Sequence, residues 1–339
     1  MSAKPTLDDV AAVAGVSAKT VSNVLLDRPH VAAATRERVH AAVKTVGYQV
    51  NRAGRGLASG RSGRIAVVVP NLYQPYFAEI AERLILALAA AGFTSTLRVA
   101  LDARAERDAV RGATTADADG VIICPHHLSA DLLGARTPDR PVVQVGGGPT
   151  GLVDVVVMGE RDGFEAVTRH LLDSGRRRLA LVWNATASGR PEGSRYEGFV
   201  AAHRSRGLEP DPGLMVAGSD WDRRVSGYEA MTGLLRTGAQ FDAVVGINDA
   251  VAVGAMRALR SHGLRVPEDV AVTGFDDTDE AGFTVPPLTS VSPEQELMVT
   301  AAVQMLMERL DGLDSAAREH RTGAHLVPRA SSGAARSRV

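Results

Sequence analysis

The chain has 339 residues, 45% of them apolar and 23% charged, with a formal net charge of −1 and one cysteine, Cys124. That length exceeds one compact domain, and the composition is that of an ordinary globule rather than a disordered or fibrous chain. A single cysteine excludes an intrachain disulfide and argues against a zinc–thiolate site, as suits a reducing cytoplasm. No apolar run reaches signal-peptide or membrane-spanning length, so a cytoplasmic protein without a membrane partner is expected.

The first predicted elements are three short helices. Leu7, Val10, Ala11 and Ala14 recur at i, i+3, i+4 and i+7, one apolar helical face. Thr6 is a ready N-cap, with Asp8 and Asp9 in the first turn, where the helix dipole favours carboxylates. Gly15 breaks the pattern. Ser17 then caps a second helix expected to bury Val21, Val24 and Leu25, which makes a helix-turn-helix. A third helix runs from about Ala34, with Val39, Ala42, Val43 and Val46 on one face, Gly47 as its stop, and Tyr48 closing a small core. Residues 1–64 hold ten Lys/Arg against four Asp/Glu, a net of +6, so the remaining residues carry −7. A basic head on an acidic body is the footprint of a phosphate-binding module.

The words Asp9-Val-Ala, Ala14-Gly-Val-Ser17, Thr20-Val-Ser22, Thr35-Arg-Glu-Arg-Val39 and Gly47-Tyr48 stand in this order. They resemble the head of the lactose-repressor family of bacterial transcription factors. The resemblance implies that the N-terminal side chains of the second helix face base edges in the major groove. By position these are Ala18 and Lys19, with Asn23 one turn on. Alanine meets a thymine methyl, lysine donates to guanine, and asparagine pairs with adenine. The family usually has arginine at the Asn23 position, so operator preference is expected to differ there. Thr20, Ser22, Asn51 and Arg55 are expected at phosphates, where contacts position without specifying, and Thr6 and Ser17 are further DNA-binding candidates.

Residues 51–63 correspond to the family's hinge helix, and Leu57 to the leucine that wedges into the minor groove at the operator centre. Gly54 and Gly56 depart from the family pattern. Each helix-interior glycine costs about 0.8–1 kcal/mol against alanine, so a weakened hinge is expected.

From Arg64 short apolar strands alternate with amphipathic helices. Ile65–Pro70, Thr94–Leu101, Gly120–Cys124 and Val142–Val145 read as strands, with helices at Phe77–Ala91 and Ala105–Thr114. The alternation restarts with helices at Gly163–Ser174, Gly193–Arg206, Arg224–Thr237 and Ala250–His262. Strands at Leu179–Trp183, Leu214–Val216, Ala243–Ile247 and Val270–Thr273 lie between them, and Glu294–Leu310 is a last long helix. The pattern predicts an α/β body of parallel sheets covered on both faces. The family resemblance adds that this body is similar to periplasmic sugar-binding proteins, with two subdomains around a cleft. On that reading a helix-turn-helix head (1–50) and hinge (51–63) precede a core (64–332). One subdomain spans about 64–159 and 291–322, the other about 160–288 and 323–332, and the tail 333–339 is disordered.

Four residues stand where the resembled family binds effector: Arg195, Trp221, Asn248 and Asp276. Arg, Asn and Asp each make paired hydrogen bonds to adjacent hydroxyls, and Trp221 offers a flat apolar face to a sugar ring. Asn71, Gln74, Tyr76 and Phe77 follow the first body strand, at the carboxyl end where α/β clefts bind ligands. Asp162 is a weaker candidate. Gly146-Gly-Gly-Pro-Thr-Gly151 spells G-x-G-x-x-G after a strand. Pro149 and the strand-like run behind it argue against a dinucleotide site, which needs a helix at the third glycine. The family often has a ligand-contacting carboxylate near Gly146, so its loss points to an altered effector.

No nucleophile–base triad, HExxH or P-loop is present, and no cofactor or metal is expected. The adjacent pair His126-His127 reads as a solvated loop. Taken together the sequence predicts a homodimeric, effector-controlled repressor that binds a near-palindromic double-stranded operator and is released by a sugar-like inducer. A corepressor-dependent regulator of the same fold, or a solute-binding protein without a DNA role, is the alternative.

Overall fold

A computed structural model describes residues 5–25, 31–47, 61–184 and 191–333. Tyr48, most of the hinge with Gly54, Gly56, Asn51, Arg55 and Leu57, and the tail beyond Gly333 lie outside the described residues. The contact pattern divides the chain into two units, Met1–Ser62 and Gly63–Val339.

In the head, α1 spans Leu7–Ala14, α2 Ala18–Leu25 and α3 Ala33–Val46. The Thr6 hydroxyl accepts from the Asp9 N–H, and the Asp9 carboxylate accepts from the Thr6 N–H at 2.7 Å, a reciprocal capping box. Gly15 (φ 65°) and Gly47 (φ 67°) end α1 and α3 in the left-handed region, which glycine enters without a Cβ clash. Val10, Ala11, Ala14, Val21, Val24, Val39 and Ala42 form the core. Leu7, Leu25, Val43 and Val46 were expected inside but reach only its margin, because three short helices enclose too little volume to cover them.

The body begins with β1 (Arg64–Val69), α4 (Pro75–Ala90), β2 (Thr94–Val99), α5 (Ala103–Val110), β3 (Gly120–Ile123), β4 (Val142–Val145) and β5 (Asp154–Val157). These strands and the later β11 (Glu319–Arg321) form one parallel six-stranded sheet, ordered β11-β5-β4-β3-β1-β2. The chain then builds α6 (Glu160–Asp173), β6 (Leu179–Asn184), α7 (Ser194–Arg204), β7 (Met215–Gly218), α8 (Arg224–Arg236), β8 (Ala243–Gly246), α9 (Asp249–Ser261) and β9 (Ala271–Thr273). Its four strands are parallel, ordered β7-β6-β8-β9. Strands such as Ile65–Val69 and Leu179–Trp183 are buried along their whole length, as a parallel sheet covered on both faces requires.

A short α10 (Asp279–Phe283) and β10 (Ser290–Ser292) precede α11 (Gln295–Leu310). The last helix packs on α4 and on β3, β4 and β5, back in the first half. β10 pairs antiparallel with β12 (His325–Val327) and packs on α6 in the second half, so the second passage between halves falls at Pro293–Glu294. The first passage, at Met158–Gly159, touches the third, at Gly323–Ala324. A Cβ on Gly159 would sit 3.0 Å from the Ala324 nitrogen, so the two connecting segments lie so close that a side chain there would push its neighbour aside.

Candidate functional site

A cavity of about 140 Å³ opens between the two halves of the body. The first half contributes Tyr76 and Phe77 from the first turn of α4, His126 from the loop after β3, and Gly146 and Gly147 after β4. The second contributes Arg195 from the first turn of α7, Trp221 from the loop after β7 and Asp276 from the loop after β9. Every group follows a strand's carboxyl end or opens the helix behind it, the place where parallel sheets leave room for ligands. Met158 and Glu160, at the first passage, form the floor.

Arg195 is the best-tethered group. Its Nε donates to Glu160 Oε1 at 3.0 Å and one terminal nitrogen donates to the Ile247 carbonyl at 2.6 Å. Its guanidinium lies 4.4 Å from the centre of the Phe275 ring and 5.9 Å from that of Trp221. Asp276 is 3% exposed and adopts φ 106°. Burial pushes its carboxyl well above the usual range, and the Arg195 charge opposes that. Asp249 holds this loop from behind, accepting from the Thr278 N–H at 2.8 Å and the Ser290 hydroxyl at 2.6 Å. Burial lifts Asp249 itself to about 7.

Tyr76 is buried, and among the described residues neither its hydroxyl nor the side-chain amide oxygen of Gln74 at the same wall has a hydrogen-bond partner. A ligand can supply those partners. Asn71 and Asn248 do not line the cavity. The Asn248 side chain caps α9 by accepting from the Val251 N–H, and donates to the Trp221 carbonyl at 2.9 Å, so it positions Trp221. The Asn71 carbonyl accepts from the Gln74 N–H at 3.1 Å, and its amide donates to Asp222 at 2.7 Å. Asp162 lines a neighbouring space of about 650 Å³ that shares Gly147, Met158 and Glu160 with the first cavity.

His126 is a correction to the sequence reading. It is no solvated loop residue: its ring lies 4.9 Å from Trp221 and 5.1 Å from Phe77, centre to centre, and its side chain is 12% exposed. Burial lowers its pKa to about 4. Glu106, 1% exposed, fixes the loop by accepting from the His126 and His127 N–H groups at 2.7 and 2.9 Å. The only available signal was its place just after a strand, the argument already used for Asn71.

The glycine run is a cavity wall. Gln144 donates to the Gly146 and Gly148 carbonyls at 2.8 and 3.0 Å, and Gly151 leads into β5, not into a helix. In the head, Lys19 is exposed, and Ala18, Thr20, Ser22 and Asn23 are partly exposed around the buried Val21 and Val24. The Ser17 hydroxyl accepts from the Thr20 N–H at 3.1 Å and caps α2. Among the described residues no helix is long and apolar enough to cross a membrane, and no three metal-ligating side chains converge.

A helix-turn-helix head on a two-lobed α/β body with an interlobe cavity defines a ligand-responsive DNA-binding regulator. Residues 6–51 match the bacterial regulatory proteins of the lacI family, and residues 168–332 match the periplasmic binding protein-like domain. The chain is 35% identical to the HTH-type transcriptional regulator CelR of Thermobifida fusca, over 91% of this chain and 93% of that protein. Among solved structures it is similar to a CelR–cellobiose complex (TM-score 0.68, 31% identity, 97% of this chain and 100% of that one). It is also similar to a lac repressor dimer bound to operator and an anti-inducer (TM-score 0.82, 26% identity, 97% and 99%). The protein belongs to the LacI family: it is an effector-responsive transcriptional regulator, not an enzyme.

Proposed function

We propose that this regulator represses carbohydrate-metabolism genes from the bacterial nucleoid, in the cytoplasm, and that a sugar-like inducer releases it. One observation carries the reading: Asp276, Arg195 and the flat ring of Trp221 line one cavity. A ring hydroxylated at its edge and apolar on its face is the ligand such a set fits. The first cavity suits one ring. The adjoining space, reached past Gly147 and Met158, takes a second, as a disaccharide needs. The complex of the relative CelR with cellobiose supports this choice.

The working unit is a homodimer on a near-palindromic operator, as in the lac repressor dimer. Exposed Leu86, Val99 and Leu101 on the first half, and Phe283 and Val285 on the second, supply apolar surface for pairing. Lys19, Ala18 and Asn23 read base edges, while Thr6, Ser17, Thr20 and Ser22 fix the head on phosphates, with Asn51, Arg55 and Leu57 following in the hinge. The core boundaries at 63–64 and 332–333 separate these roles. Effector in the cavity changes how the halves sit, and the coupling to DNA is worth about 1–3 kcal/mol, a change of roughly 5–150-fold in operator affinity.

Gel shift on the DNA upstream of the protein's own gene, with and without a panel of mono- and disaccharides including cellobiose, tests the reading. A retarded band that one sugar weakens is the expected result. A band that no sugar weakens counts against the inducer assignment, and no band at all counts against the operator assignment.

A further inference from the structure

The mouth of the cavity is fastened by groups other than Arg195, Trp221 and Asp276. Asp222, in the loop after β7, is 4% exposed and reaches across to the first half. Its Oδ2 accepts from the Asn71 amide at 2.7 Å and faces His126 Nδ1 at 3.6 Å. Its Oδ1 is buried with no partner among the described residues, as is His126 Nε2. A carboxylate only accepts, so a fully ionised Asp222 leaves a buried charge with half its bonding unmet.

We propose that Asp222, bonded across the cleft to Asn71 and facing His126, forms with that imidazole a latch that carries one proton and holds the two halves closed. The surrounding groups favour this. Burial, with the neighbouring Asp220 charge, lifts Asp222 to about 7; the Asn71 amide and Arg223 oppose the lift. Burial, with His127 and Arg195, drives His126 down to about 4, while Asp220 opposes. Tyr73 donates to Asp220 at 3.4 Å, and Arg223 lies 3.8 Å over the Tyr73 ring, so the rest of the mouth carries its own charge balance. Asp276, deeper in the cavity, also feels Asp222. With the two groups pushed in opposite senses and standing 3.6 Å apart, the closed site keeps one proton, on Asp222, between about pH 4 and 7.

The signs follow from linkage. In an open cleft both side chains are solvated, with Asp near 4 and His near 6.5. Between those values the open form also carries one proton, on the imidazole. Closing then moves that proton within the pair and takes none from solvent, so the pair's contribution to closure is level from about pH 4 to 6.5. Either partner alone behaves otherwise. With His126 unpaired, closing expels a proton and weakens as pH falls below 6.5. With Asp222 unpaired, closing takes one up and weakens as pH rises from 4 towards 7. Each slope approaches tenfold per pH unit. The latch thus makes closure around an effector insensitive to moderate acidity.

Acrylamide quenching of tryptophan in the full-length protein reads the cleft. Trp221 lies against His126 at the mouth, and Trp183, 4% exposed in β6, stays shielded. Scattering radius of gyration gives a second reading. Relative to wild type, Asp222→Asn is expected to grow more quenchable and more extended from pH 6.5 to 5. His126→Gln is expected to do so from pH 5 to 7. Asn71→Ala, which leaves both titrating groups in place, should raise quenching at every pH. Opposite slopes in the two titrating variants support the latch. Slopes of the same sign, or wild-type profiles in both, overturn it, as does an unchanged Asn71→Ala protein if the other two do not fold. None of these readings uses DNA or a sugar, so the latch and the inducer assignment stand or fall separately.

Discussion

Glu106 offers the sharpest test of how the body holds its cavity. Its carboxylate is buried beneath the loop that carries His126 and accepts two backbone N–H bonds, from His126 and His127. In Glu106→Ala both amides lose their acceptor in a part-buried loop, where water replaces some of what is lost. An unpaired fully buried donor costs about 1–3 kcal/mol, so two part-buried ones together cost at most about 2–6 kcal/mol. Relief of the buried carboxyl, which burial already pushes above its ordinary value, returns part of this, leaving a loss of about 2–4 kcal/mol. Glu106→Gln keeps one carbonyl acceptor and should fall midway. Urea unfolding followed by circular dichroism measures the loss as a lower midpoint at unchanged slope. A second effect is specific to the site: the freed loop loosens His126 from Trp221, so tryptophan quenching should rise in native buffer. A Glu106→Ala protein with wild-type midpoint and wild-type quenching would refute the clamp.

Three further outcomes are expected. Gly198→Ala puts a methyl 2.2 Å from the Arg161 carbonyl where α7 crosses α6, and should cost about 1–3 kcal/mol by overpacking while displacing Arg195 one turn away. Its control, Gly233→Ala, points into open space inside α8 and should stabilise by about 0.5–1 kcal/mol; thermal melts of the two should shift in opposite directions. Ser17→Ala removes the cap that α2 takes from the Ser17 hydroxyl and should cost the head about 1 kcal/mol, read as faster amide hydrogen exchange in α2 with the body unchanged.

What was legible in the sequence was mostly local. The three head helices show because a 3.6-residue period, a capping threonine and two stop glycines all lie within a few residues of one another. The body strands show because a sheet covered on both faces needs unbroken apolar runs. β11 is the converse: Glu319-His320-Arg321 pairs at the sheet edge with its side chains exposed, so no apolar signal marks it. At the cavity, Arg195, Trp221 and Asp276 stand in recognisable words, and the structure brings all three together. Asn71 and Asn248 stand in equally suggestive places but turn their amides to capping and bracing. Side-chain direction there is decided by which backbone group needs a partner, and spacing does not encode that. His126 and Asp222 are 96 residues apart, so only the folded chain could show that they meet.

The central claim is that a salt-sensitive grip on DNA and a ligand cavity are coupled in one chain. Fluorescence anisotropy of the protein's own upstream duplex, from 50 to 200 mM salt, with and without the sugar that the gel-shift panel selects, tests it for wild type and Arg195→Lys. Lysine keeps the charge but loses the forked bonds to Glu160 and Ile247. Wild type should lose about 10³-fold or more in affinity across that salt range and shift roughly 5–150-fold with sugar. Arg195→Lys should keep the salt slope and lose the sugar response. Affinity indifferent to salt, or a sugar response that survives in Arg195→Lys, would contradict the account.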